Sequence, residues 1–214
     1  MTIIFDLDGT LTPSAPGIFA SVRYALEKFG ITGQTDAQLM PFVGPPLVDS
    51  FSKFYGFSHE DSVEAVRLYR EFYTDRGIFM NGVYDGIPQA LEELKAAGLH
   101  LYVATGKPEH FMVRILEHYD LAKYFEFAGG TDLAGTRKSK SQTINFVIAH
   151  ENLEEERKSG KILMIGDREH DVIGAHESGI KCVGALWGYG SREEFEKCSC
   201  DFLIEKPKDI FSVI

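Results

Sequence analysis

A chain of 214 residues, 44% apolar and 25% charged, is long enough to bury a substantial core and needs no covalent staples. Its net charge of −10 sets the average surface against nucleic-acid polymers and anionic membranes. Three cysteines, Cys182, Cys198 and Cys200, are too few for a disulfide framework or a structural zinc site. Cys182 lies in an apolar run and is expected in the core. The start, MTIIFDLDGT, has acidic residues where a secretory leader needs basic and then long apolar ones. No apolar run approaches the ~20 residues of a membrane span, so the expected location is the cytoplasm.

In chain order, the first short apolar run is Thr2–Asp6. From Ser14 to about Val83 only helical patterns follow: Ile18–Phe29, Leu47–Tyr55 and His59–Phe72. They are broken at Gly30–Gly33, at Gly44-Pro45-Pro46 and at Gly56–Ser58. Phe19, Phe51, Phe54, Tyr55, Tyr69, Phe72 and Tyr73 are expected to form the core of this segment. Arg23 and Lys53 are its candidate cations toward an acidic ligand, although a solvated helix face is the plainer reading. Beyond it, short runs rich in Ile, Val, Phe and Tyr alternate with amphipathic segments. The runs are Leu99–Thr105, Tyr124–Ala128, Lys161–Gly166, Lys181–Ala185 and Asp201–Ile204. The segments are Ile87–Ala97, Pro108–His118, Ser139–His150, Arg168–Ser178 and Arg192–Lys197. Such alternation predicts an α/β, doubly wound parallel sheet, with residues 1–13 and 84–214 as the core and 14–83 as a helical insertion.

Chemistry concentrates where these strands are expected to end. Asp6 and Asp8 are two apart on an extended chain, so both carboxylates face one site beyond the carboxyl end of the sheet. Like charges so placed raise one another's pKa, and a cation is the simplest remedy; oxygen-only donors suit Mg²⁺. Gly9 allows a tight turn that brings N–H groups to an anion. Thr105-Gly106, read as a strand end entering a helix at Pro108, offers a hydroxyl and backbone donors to a phosphate. Asp167 and Asp171, four apart, fall on one face of a helix that starts there. Acidic residues also suit a helix amino terminus on dipole grounds, but the apolar strand before Asp167 places it at the same rim as Asp6. A lysine at the start of the next-to-last long helix could neutralise nucleophile and phosphate together, and spacing leaves Lys138 and Lys140 as competitors.

Asp6-Leu7-Asp8-Gly9-Thr10-Leu11-Thr12, Thr105, Lys140 and Gly166-Asp167-x-x-x-Asp171 together resemble the four motifs of the haloacid dehalogenase superfamily, over essentially the whole chain. Phe42–Leu47, the Gly166–Ala175 stretch and Trp187-Gly188-Tyr189-Gly190-Ser191 are similar to its phosphoglycolate phosphatase-like branch, some of whose members are 5'-nucleotidases or pyrophosphatases. The resemblance implies a Rossmann-like core with a small α-helical cap, hinged near Thr12–Pro16 and Asn81–Gly86, and a Phe42–Leu47 loop facing the site. It also implies a Mg²⁺-dependent phosphomonoesterase acting on a small phosphorylated metabolite, as a monomer or homodimer. Asp6 would be the nucleophile and Asp8 the general acid and base. Mg²⁺ would be held by Asp6, the Asp8 carbonyl and Asp167, with Asp171 as an outer or water-mediated ligand. Thr105, Lys140 and the amides around Leu7–Gly9 and Gly106 would grip the phosphoryl group. Two departures stand out: Pro13 replaces an acidic residue common in relatives, and Lys140 is followed by Ser141-Gln142 rather than by Lys-x-Glu spacing.

An acid at position 8 favours ester cleavage, because an alkoxide leaves poorly without a proton. A sugar phosphomutase shares the four motifs. A phospho-accepting receiver domain gathers similar residues, but lacks the helical insertion and the Gly-Asp-x-x-x-Asp motif.

Overall fold

The computed structural model describes residues 1–132 and 136–214. The chain divides into two compact units, Met1–Pro13 with Val83–Ile214, and Ser14–Gly82. Among the described residues no helix is long and apolar enough to cross a membrane.

The first unit holds six parallel strands: β1 (Thr2–Phe5), β2 (His100–Pro108), β3 (Phe127–Thr131), β4 (Ile162–Gly166), β5 (Lys181–Ala185) and β6 (Phe202–Ile204). Their order is β3-β2-β1-β4-β5-β6. All four residues of β1 and all five of β4 are buried, as expected of inner strands covered on both faces. Phe5 is level with Val103 on one side and Ile165 on the other, so the residues that follow these three emerge together. The chain builds outward from β1 in one direction and then in the other. Its switch point lies at β1, where open α/β sheets place their ligands. Ile4, Met164, Cys182, Ile144, Val147, Val172 and Phe195 are among the buried residues of one hydrophobic core cluster.

Two strand boundaries differ from the sequence expectation. The third strand is Phe127–Thr131 rather than Tyr124–Ala128, and Ala122–Tyr124 is a 3₁₀ turn. Gly129 and Gly130 read as a break, yet here they are packing devices. A Cβ on Gly129 would stand 2.9 Å from Val147, and one on Gly130 would stand 2.5 Å from the Lys107 carbonyl. β2 also runs on to Pro108, with an irregular register between Ala104 and Pro108, and the next helix begins only at Glu109. Thr105 and Gly106 therefore lie on an extended strand and not at a helix amino terminus.

The second unit contains α1 (Ala15–Lys28), a short α2 (Asp36–Leu39) that the sequence pattern did not show, α3 (Leu47–Tyr55) and α4 (His59–Asp75). Thr35 and Gln38 cap α2 reciprocally. Phe51, Phe19, Tyr69 and Tyr73 are buried, as expected. Phe54 is not core: it is exposed, and Lys53 lies over its ring. Phe42 is buried against Phe51, with Phe54 and Tyr55 beside it. Arg23 is held by the Gln34 carbonyl and by Asp36 at 2.5 Å.

The remaining helices of the first unit are α5 (Ile87–Ala96), α6 (Glu109–His118), α7 (Lys140–His150), α8 (Glu154–Lys158), α9 (Glu169–Glu177) and α10 (Arg192–Lys197). Phe195 of α10 is fully buried and fills the space left by Gly184 of β5. Phe195→Ala is expected to cost about 3–5 kcal/mol of stability, measured by urea unfolding. A loss below about 1 kcal/mol would show that α10 does not seal this core.

Candidate active site

The expected site residues converge beyond β1, β2 and β4. Asp6 directly follows β1, and its amide donates to the Ile165 carbonyl at 2.9 Å. Lys140, the first residue of α7, places Nζ 2.7 Å from Asp6 Oδ1 and 2.8 Å from Asp171 Oδ1. Nζ also donates to the Ala104 carbonyl at 3.3 Å. This geometry separates the two competing lysines, because Lys138 is exposed. The missing glutamate after Lys140 has a replacement: Gln142 accepts from the Ser139 amide at 3.1 Å while its own amide donates to Ser139 Oγ at 3.2 Å. That reciprocal cap fixes the first turn of α7 and so the root of Lys140.

Asp171 works as a cap and as an anchor. Its Oδ2 accepts from the Asp167 and Arg168 amides at 3.0 and 3.1 Å, which secures the start of α9, and its Oδ1 meets Lys140. Gly174, one turn further on, has no side chain because a Cβ there would lie 2.6 Å from Lys140 Cγ.

Asp167 is fully buried. Oδ1 accepts from Thr10 Oγ at 3.3 Å, and Oδ2 from the Tyr189 amide at 2.9 Å. Gly9, at φ +86°, stands so close that a Cβ would come within 2.1 Å of Asp167, and one on Gly188 would come within 2.2 Å. The Gly9 amide itself donates to the Thr12 carbonyl at 2.8 Å. Gly9 thus makes the tight turn expected of it and leaves space for Asp167, while its own N–H is engaged by Thr12 rather than turned toward an anion.

Asp8 has a partner of its own. Its Oδ2 is 2.8 Å from Nζ of Lys107, while its Oδ1 is buried without a hydrogen-bond partner among the described residues. Thr105 is buried, and its Oγ accepts from the Lys107 amide at 3.2 Å, which leaves its own O–H to donate. Gly106 is exposed.

In the sequence Lys107 carries no role, and Gly174, Trp187, Gly188 and Tyr189 fall in stretches that carry the resemblance without a role of their own. Trp187 Nε1 donates to the Thr10 carbonyl at 2.9 Å, tying the loop after β5 to the loop after β1. Lys107 was visible in principle: two residues beyond Thr105 on a strand, it must face the same way.

Four carboxylates here face two ammonium groups. Burial, together with Asp171 and Asp6, pushes the Asp167 carboxyl well above the ordinary range, and burial also raises that of Asp171. Burial alone would lower Lys140, but Asp171 and Asp6 outweigh it and hold the ammonium firmly protonated. Tyr84 is raised by burial, with Tyr189, Asp167 and Asp8 adding to the effect. Asp6, Asp167 and Asp171 each offer an oxygen within 4.8 Å of the others. A hard, oxygen-only donor set with a deficit of positive charge fits a divalent cation such as Mg²⁺.

A family model for haloacid dehalogenase-like hydrolases matches residues 3–185. The chain belongs to that family. As a haloacid dehalogenase-like hydrolase it is an enzyme. It is 43% identical to a 5'-nucleotidase of Pseudomonas aeruginosa over 90% of this chain and 85% of that one. It is 40% identical to the tyrosine-protein kinase PtkA of Mycobacterium tuberculosis, over 92% of this chain and 66% of that one. A phosphoglycolate phosphatase of Vibrio parahaemolyticus is 27% identical over 99% of this chain and 95% of its own. The crystal structure of a predicted phosphatase from Clostridium acetobutylicum superposes with a TM-score of 0.90 at 40% identity, covering 99% of this chain and 96% of that one.

The raised Asp167 carboxyl has a consequence for stability. A carboxyl whose native pKa lies above its unfolded value favours the fold at low pH, and this contribution is lost as pH rises through the native pKa. Asp167→Asn is therefore expected to raise Tm of the metal-free protein at pH 8, by about 2–4 °C for each kcal/mol relieved. In the wild-type protein, stabilisation by added Mg²⁺ should grow from pH 5.5 to 8, since the ion must displace a proton. The Asp167→Asn variant should show almost none, as read by differential scanning fluorimetry.

Proposed function

We propose that this hydrolase is a Mg²⁺-dependent phosphomonoesterase that works through an aspartyl-phosphate on Asp6. The observation that carries the reading is the ion pair between Lys140 and Asp6 inside a ring of buried carboxylates. A buried carboxylate with one oxygen held by an ammonium keeps the other available for in-line attack on phosphorus. As the Asp6–phosphorus bond forms and the ester bond breaks, the departing alkoxide takes a proton from Asp8. Asp8 then removes a proton from the water that attacks the phosphoryl-Asp6, releasing inorganic phosphate and restoring both carboxyl groups.

Lys140 and the Thr105 hydroxyl meet the charge spreading over the phosphoryl oxygens. Asp6 and Asp167 would hold Mg²⁺ directly, together with the Asp8 carbonyl, and the ion would neutralise phosphate and nucleophile at once. Asp171, with both oxygens engaged, would act behind them by orienting Lys140.

For the substrate, 43% identity to a 5'-nucleotidase favours a nucleoside 5'-monophosphate over phosphoglycolate, whose phosphatase matches at 27%. Release of phosphate from a panel containing nucleoside monophosphates, phosphoglycolate and an aryl phosphate tests both the class and the order. Asp6→Asn is expected to lower kcat by more than about 10³-fold while the circular dichroism spectrum is unchanged. Turnover that survives chelation of divalent metal, or survives Asp6→Asn, would refute the reading.

A further inference from the structure

The Lys107–Asp8 pair has a directional property. Lys107 is 9% exposed, which is unusual for a lysine and demands a partner for its charge. Its Nζ takes one oxygen of Asp8, Oδ2, at 2.8 Å, while Oδ1 is left buried without a hydrogen-bond partner among the described residues. The two oxygens of the carboxylate are thereby made unequal.

The backbone under Lys107 is correspondingly constrained. β2 departs from regular register between Ala104 and Pro108 but stays extended, and along it Thr105 and Lys107 are buried while Gly106 between them is exposed. The Lys107 amide donates to Thr105 Oγ, and Thr131 Oγ donates to the Gly106 carbonyl at 3.3 Å. The Lys107 carbonyl lies so near β3 that only a glycine fits at position 130. Two hydrogen bonds and the close passage of β3 at Gly130 surround a lysine root whose side chain ends on Asp8.

We propose that Lys107 is a positioning residue for phosphoryl transfer: by anchoring Asp8 Oδ2 it presents Oδ1 to the oxygen of the departing alcohol. This rests on the role given to Asp8 above. The ammonium does not itself touch the transferred proton; it restricts Asp8 to the rotamer from which the proton is delivered.

The test uses the full-length, Mg²⁺-loaded enzyme and a series of phosphate monoesters running from nitrophenyl to simple alkyl leaving groups. kcat/KM reports the phosphorylation step and therefore the need for a proton on the leaving oxygen. Lys107→Met is expected to lower kcat/KM by about 10²-fold or more for alkyl esters and by less than about 10-fold for the nitrophenyl ester, so that the dependence on leaving-group pKa steepens. Lys107→Arg should recover part of the alkyl-ester rate. Gly130→Ala, which keeps the ammonium but displaces its root, should give the same leaving-group signature in weaker form, with Tm separating misplacement from unfolding. An equal loss across all leaving groups would make Lys107 a phosphate grip and overturn the proposal, as would unchanged kinetics. If Asp8→Asn retains full alkyl-ester turnover, the role of Asp8 fails first and takes this inference with it.

Discussion

Repulsion among carboxylates at the end of one sheet is the constraint around which the rest of this molecule is arranged. Asp6, Asp167 and Asp171 are all buried within reach of a single point, a placement that an isolated fold would resist. Lys140 answers part of that repulsion, bridging two of the three at 2.7 and 2.8 Å. The other neighbours follow from the need to hold these groups still. Asp171 is clamped by two amides, Asp167 by a hydroxyl and an amide, and Lys140 by a capped helix end and the absence of a side chain at Gly174. What remains unbalanced is the charge that a divalent cation and a phosphate ester would settle between them. A fold that tolerates such a cluster is already organised for phosphoryl chemistry.

The two sides of the site are built differently. On the β4 and β5 side, rigidity comes from loops crowded around Asp167, where Gly9, Gly188 and Gly190 leave no room for a β-carbon. On the β2 side the strand continues past Thr105, and its alternation turns Lys107 the same way, toward Asp8. Asp6 and Asp8 thus sit on one loop but answer to separate partners, Lys140 for Asp6 and Lys107 for Asp8. Separate anchoring lets two carboxylates two residues apart take different tasks, because their surroundings and not their chemistry set them apart.

Much of this was legible in the residues themselves. Period-two spacing put Asp6 and Asp8 in one site, and apolar runs marked β1, β4 and β5 closely, since inner parallel strands are continuously apolar. Position within a helix turn joined Asp167 to Asp171. Legibility failed where glycine and lysine carry tertiary meaning. Gly129 and Gly130 look like a turn until Val147 and the Lys107 backbone are seen to occupy their missing side-chain space. Lys107 is hidden in the sequence because Thr105-Gly106-Lys107-Pro108 looks like a helix entrance, whereas the strand continues to Pro108. Lys138 and Lys140 could not be told apart by spacing, since the choice depends on which one the Ser139 cap directs inward. Phe54 illustrates the opposite failure: an aromatic at helical spacing that stays at the surface.

The central strand also carries a consequence for how the chain is made. Thr2 pairs with His100 on one flank and with Ile162 on the other, so β1 is synthesised before both of its partners and must wait for each. Closing that gap is slow for a flexible chain, and the compact unit Ser14–Gly82 shortens it by drawing its own ends into a folded body. Until β4 has been synthesised, one edge of β1 lies bare, an apolar ribbon open to unwanted pairing. The insertion after β1 is therefore an aid to assembly as well as a part of the enzyme, and shortened translation products ending before β4 are the species most prone to aggregate.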